Sequence, residues 1–278
     1  MTGNSDKPKN KMGMLLKNDF LASSRVISLV YIVEIVAFIL FLITKGGDHG
    51  KVWRISVLLS TVVPFVLILV TLFFVVYDFN KSLYSQQGYL TYSLPVTSNQ
   101  LLGSKMIVYG FWMSVSFAVA IFMMVYFAAY LEQQAGDTMQ MADLFLGMFD
   151  LPSVKHIKIY AFYGLAMFFI FAFSLVSILY FAITASHVRL FQKANFVWAI
   201  VIFGVVAIMM LIITSIVDSH IFINLLLYDD GTSKIKAGDI MLQNGLSLPL
   251  SPLFYYIVQD VILFFVTSLI MRKWINIK

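Results

Sequence analysis

Two carboxylates lie where carboxylates are costly. Glu34 is near the middle of the apolar run 26–44, and Asp260 is near the middle of the run 251–271. A charged carboxylate at the centre of a bilayer costs about 2.5–3.5 kcal/mol on insertion scales. Each must therefore face other helices or a wet cavity, or carry a proton. Glu34 has no basic residue one helical turn away on its own run, whereas Asp260 has Gln259 beside it and Tyr256 one turn back. Two roles fit such residues: a polar contact for cationic groups of a substrate, or a hydrogen bond between helices. The other reactive side chains do not assemble into anything. His49, His156, His187 and His220 sit in separate segments, with no H-E-x-x-H spacing to hold a metal. There is no cysteine, so no disulfide, thiolate zinc site or thiol nucleophile is possible. Neither a G-x-S-x-G elbow nor a G-x-x-x-x-G-K-[ST] phosphate loop occurs. The expectation is no catalytic residue, no metal and no ATP site of its own.

The other informative stretch is polar. Residues 78–105 form an island between two long apolar runs, so they sit at one membrane face. Phe79, Lys81, Leu83, Tyr84, Gln87 and Tyr89 can line a short amphipathic helix, which Gly88 and Pro95 then punctuate. Ser98 or Asn99 can cap the helix that follows. The stretch reads either as a plain connector or as a docking element on which a cytoplasmic motor pushes.

The 77–105 segment, YDFNKSLYSQQGYLTYSLPVTSNQLLGSK, resembles the first cytoplasmic loop of bacterial ABC-2-type permeases, the type V ABC exporter fold. An aromatic-acid-aromatic entry, a QGYLT core, an LPV turn and a QLLxSK helix start occur there together. The approach to the first apolar run, Lys17 to Arg25, is similar to that family's as well. The resemblance covers about the first 110 residues by motif and the remainder by its pattern of spans. It implies a coupling helix in the loop that rests in a groove of a separate ATPase subunit. The residues it points to are Leu83, Tyr84, Gln86, Gln87, Gly88, Tyr89 and Leu90. It also implies that ATP and magnesium are bound by that partner, that a second permease chain completes a homo- or heterodimer, and that the last span is preceded by re-entrant helices.

The elements that must position these residues are membrane helices. Hydrophobic residues make up 60% and charged residues 12% of the chain, against about 45–50% and 25% in soluble domains. Six spans are expected near 26–44, 55–76, 106–131, 158–186, 195–217 and 251–271, each able to cross a hydrocarbon core of about 30 Å. The fourth is long enough to require tilt or to extend beyond the bilayer. Pro64 should kink the second span, because it removes one helical hydrogen bond. The fold class expected is an all-α integral membrane protein. It has a tail and an amphipathic helix over 1–25, with Met12, Leu15, Leu16, Phe20 and Leu21 on one face, followed by a single permease domain over 26–278. The helix over 12–25 is expected to lie along an anionic lipid surface.

Charge placement orients the bundle. With the N-terminus inside, inner segments hold 12 of the 19 Lys and Arg residues, and outer segments hold nine of the 14 acids. The positive-inside rule then puts both termini and the 78–105 loop in the cytoplasm, although the first outer loop runs against it. Segment 132–157 suits a helix resting on the outer surface. Segment 218–250 has two apolar pieces around a polar tip, and reads as re-entrant or interfacial helices or as a surface loop.

The function these features suggest is that of a permease subunit of an ATP-driven exporter in a bacterial plasma membrane. Phe- and Met-rich surfaces suit amphipathic, antimicrobial or cytolytic peptides, or other hydrophobic cargo. The small positive excess gives no reason to expect nucleic acid. A non-transporting membrane anchor or sensor that recruits a cytoplasmic partner is the alternative. An intramembrane enzyme lacks a visible catalytic constellation.

Overall fold

The computed structural model describes residues 11–44, 50–86, 88, 93, 96–135, 157–188, 191, 194–220, 223–228, 233–237 and 245–273. Among them are six helices long and apolar enough to cross a membrane. They are α1 (Lys11–Thr44), α2 (Lys51–Tyr84), α3 (Ser98–Ala135), α4 (Ile157–Ser186), α5 (Asn195–His220) and α6 (Ser251–Lys273). All six expected spans fall on these helices. α3 is central and packs on α1, α2, α4 and α6, while α5 leans mainly on α4 and α6. No residue in the apolar window of α5 is fully buried within the chain, and its outward face is apolar.

The buried face of α2 shows how the bundle is held. Ser56, Ser60, Pro64, Leu67, Thr71, Val75, Phe79 and Leu83 recur every three or four residues and all face inward, as one helix face requires. The stripe begins with the small Ser56, Ser60 and Pro64 and ends with the apolar Val75, Phe79 and Leu83. Between lipid-immersed helices there is little hydrophobic drive, so small residues that let backbones approach and polar contacts do the joining. Such contacts run through the bundle. Tyr31 of α1 and Thr71 of α2 meet the same Ser116 hydroxyl of α3, at 2.8 and 2.9 Å. The large half of the α2 stripe enters the main core with Leu102, Met106, Tyr109 and Met113 of α3, Val176, Tyr180 and Ile183 of α4, and Met271 of α6. That core lies toward the ends of α2, α4 and α6 and the start of α3. Gly110 makes the α3–α4 approach possible there, since a Cβ on it would fall 2.6–2.8 Å from the Phe173 ring.

Several expectations change. Residues 11–25 do not form a separate helix on the lipid surface, because they are the first turns of one continuous α1. The reason is Asp19, whose carboxylate finds its partners on α3 and holds this part of α1 against the bundle. Among the described residues of segment 218–250 there is no re-entrant helix: 218–220 end α5, and the later described parts form strands β1 (Ile223–Tyr228), β2 (Ser233–Ala237) and β3 (Gly245–Pro249), arranged antiparallel in the order β2-β1-β3. Strict alternation in Ser233-Lys234-Ile235-Lys236-Ala237 and an Asp-Gly pair between the first two strands favour a hairpin. A sheet with open edges cannot sit in hydrocarbon, so this one belongs at a bundle end. It is anchored by the Leu250 amide on the Ile223 carbonyl at 2.8 Å and by the Tyr163 hydroxyl on the Pro249 carbonyl.

Pro64 lies buried inside α2, with helix continuing on both sides. The N-terminal cap of α3 is Thr97 and not Ser98 or Asn99. Thr97 and Gln100 exchange side-chain bonds with each other's amides at 3.1 and 3.3 Å, a reciprocal capping box. Of the outer surface helix expected over 132–157, residues 136–156 lie outside the described part, as does the tail 1–10.

Candidate coupling site

The base of the 85–97 connection is built on one buried lysine. Lys105 stands two turns into α3, and its side chain is 3% exposed. Its Nζ donates to Asp78 Oδ2 at 2.9 Å and to Asp19 Oδ1 at 3.4 Å. The other Asp19 oxygen accepts from Ser104 at 2.8 Å. One cation therefore ties the start of α1, the end of α2 and the start of α3 into a single unit. It also lies 5.7 Å from the centroid of the Tyr109 ring. Next to this cluster Trp112 donates to Ser23 at 2.9 Å and stacks on Phe20 at 5.2 Å, which zips α1 to α3. A buried ion pair contributes modest net stability when complete, but losing one partner leaves an uncompensated charge.

A second tie links α2 to α4. The Tyr84 hydroxyl donates to Thr184 at 2.9 Å, and its ring lies flat on His187 with centroids 4.0 Å apart. One turn earlier, Phe79 stacks on Tyr180 at 3.8 Å. His187 Nδ1 is 2.8 Å from the Ile183 carbonyl. Burial lowers the pKa of His187 below the usual histidine value, while that carbonyl contact opposes the change. A third tie joins α3 to α6, where Ser268 donates to Asn99.

The loop residues singled out from the sequence divide at this platform. Leu83 is 1% exposed and belongs to the core, so it has no surface to offer a partner. Tyr84 is half-buried and engaged with α4. α2 ends there, because Ser85 turns to an extended conformation. Gln86 is exposed. Gly88 is buried, and its amide meets the Ser85 carbonyl at 2.8 Å. A Cβ on Gly88 would fall 2.4 Å from the Leu83 carbonyl oxygen, so the close turn after α2 requires glycine. Gln87, Tyr89 and Leu90 lie outside the described residues.

The two membrane carboxylates are held by different helix pairs. Glu34 is 3% exposed and lines a small cavity between α1 and α2 with Ser60, Ala37 and Phe41. Asp260 of α6 accepts from Ser174 of α4 at 2.8 Å, with Gln259 at the edge of hydrogen-bond distance from the same hydroxyl. Among the described residues no group of acids and histidines could hold a metal ion.

Sequence reasoning missed the Asp19–Lys105–Asp78 cluster. Its signal was present, since each of these charges lies at the edge of an apolar run and their signs are complementary. Only the packing of three helix ends shows that one lysine serves both acids. Compared with known protein families, with curated proteins and with solved structures, the chain finds no match.

Proposed function

We propose that this chain is the membrane-spanning subunit of an ATP-driven exporter of the ABC-2 type, energised by a separate ATPase that docks on the 85–97 connection. The observation that carries the reading is the platform beneath that connection. The segment with the permease-like motifs leaves the bundle where ion pairs, stacked rings and the main core bind α1, α2, α3, α4 and α6 together. A push on a loop rooted in such a platform moves helices, whereas a push on a loosely attached loop is absorbed by the loop. Tyr84 passes displacement to α4 through His187 and Thr184, and Asp78 passes it to α3 and α1 through Lys105.

In this reading ATP and magnesium are bound by the partner, and a second permease chain completes the pathway. α5, with its bare apolar window, is available to that chain or to lipid. The cargo is an amphipathic or hydrophobic peptide, and surface contact with the ATPase falls to Gln86 and to the neighbouring Gln87, Tyr89 and Leu90. The test is co-expression with a candidate ATPase, purification in detergent, and measurement of hydrolysis with and without peptide. Co-purification with peptide-stimulated hydrolysis supports the proposal. A chain that assembles in the membrane and retains no ATPase supports the anchor reading in its place.

A further inference from the structure

Where α2 passes Pro64, two buried polar atoms face the same small cavity. Glu34 Oε2 of α1 and Ser60 Oγ of α2 are both fully enclosed and have no hydrogen-bond partner among the described residues. Both residues line the cavity, with Ala37, Phe38, Phe41 and Met123 forming its apolar remainder. The cavity's volume is about 10 Å³, close to the smallest that admits one water. Pro64 is the residue four positions after Ser60 and has no N–H, so the helical bond it would donate to the Ser60 carbonyl cannot form. Ser60 and Pro64 share the buried face of α2, and Ser60 itself lines the cavity beside Glu34.

We infer that this cavity is a binding site for one water molecule, held by the Glu34 carboxyl, the Ser60 hydroxyl and the Ser60 carbonyl freed by Pro64. Three partners are the usual complement of a buried water, and ordered water is one of the ways in which membrane helices satisfy backbone groups released by proline. The apolar remainder argues against a metal cation, which needs a fuller shell of oxygens. The site gives Glu34 a reason to be inside the bundle that does not involve a substrate, and it makes the proline break a hydrated joint between α1 and α2.

The test is a structure of the assembled protein at a resolution that shows ordered water, for the wild type and for Pro64→Ala. We expect one peak at hydrogen-bond distance from Glu34, Ser60 Oγ and the Ser60 carbonyl in the wild type. In Pro64→Ala the restored amide takes the carbonyl, and the peak is weakened or lost. Should Pro64→Ala not assemble, Ser60→Ala removes a different partner and must weaken the peak in the same way. A dry cavity in the wild type overturns the inference. So does a peak at metal–oxygen distances that follows the sodium concentration, or one unchanged in the variants.

Discussion

The Tyr84 ring lies on the His187 ring at 4.0 Å with 17° between their planes, joining the last residue of α2 to the residue just beyond α4. Burial of this stack favours the neutral imidazole by lowering the His187 pKa. In the unfolded chain the histidine titrates near about 6.5. Its contribution is therefore complete above that value and is lost as pH falls toward the lowered folded pKa, because the unfolded chain binds the proton more readily. We expect thermal stability in detergent to fall as pH drops below about 6.5, with a smaller fall in His187→Phe, which keeps a ring and cannot titrate. Equal slopes for the two proteins would assign the acid sensitivity elsewhere.

Lys105 gives a sharper contrast. Lys105→Met strands Asp19 and Asp78 against each other in a largely buried setting, and losing one partner of such a cluster costs about 3–5 kcal/mol. Replacing all three, as Lys105→Met with Asp19→Asn and Asp78→Asn, removes the stranded charge and should recover most of the loss. Measured unfolding of the single and triple variants checks this. A single variant as stable as wild type would mean that the cluster does not tie the helices.

Gly88 is expected to tolerate no side chain at all. Even Gly88→Ala places a Cβ against the Leu83 carbonyl, so the turn after α2 must rearrange. We expect Gly88→Ala and Gly88→Trp both to lose ATPase binding in a pull-down while still assembling in the membrane. If alanine is accepted and tryptophan is not, the constraint comes from a partner's surface and not from this chain's own turn.

The membrane carboxylates should respond differently from each other. Glu34→Gln keeps hydrogen-bonding capacity in its small cavity and should leave both assembly and export intact. Asp260→Asn keeps the contact with Ser174 but cannot attract a cation, so export of a cationic peptide should fall while basal hydrolysis continues. Export rates of both variants in vesicles decide this. Unchanged export in Asp260→Asn would leave that carboxylate only a helix-packing role.

What could be read from the residues follows from range. Membrane helices are encoded locally, and runs such as 195–217 are apolar throughout, so all six appear where composition puts them. The 223–249 sheet was harder to read, because Ile223 to Leu227 is a short apolar run compatible with either helix or strand. The alternating Ser233 to Ala237 segment carried the better signal. Phe79 and Leu83 looked like one face of a surface helix because their spacing suits one. That the same face is the end of the α2 core stripe is a tertiary fact. The Lys105 and His187 contacts at the base of the 85–97 connection depend on which helix ends meet.

If the 85–97 connection transmits the work of an ATPase to the bundle, as we propose, Tyr84→Ala in the reconstituted complex must lose coupling efficiency. This variant removes the stack on His187 and the bond to Thr184 while leaving Asp78, Lys105 and the exposed Gln86 in place. We expect the ATPase still to co-purify and hydrolyse ATP, with peptide exported per ATP reduced severalfold. Export per ATP equal to wild type would contradict the proposal.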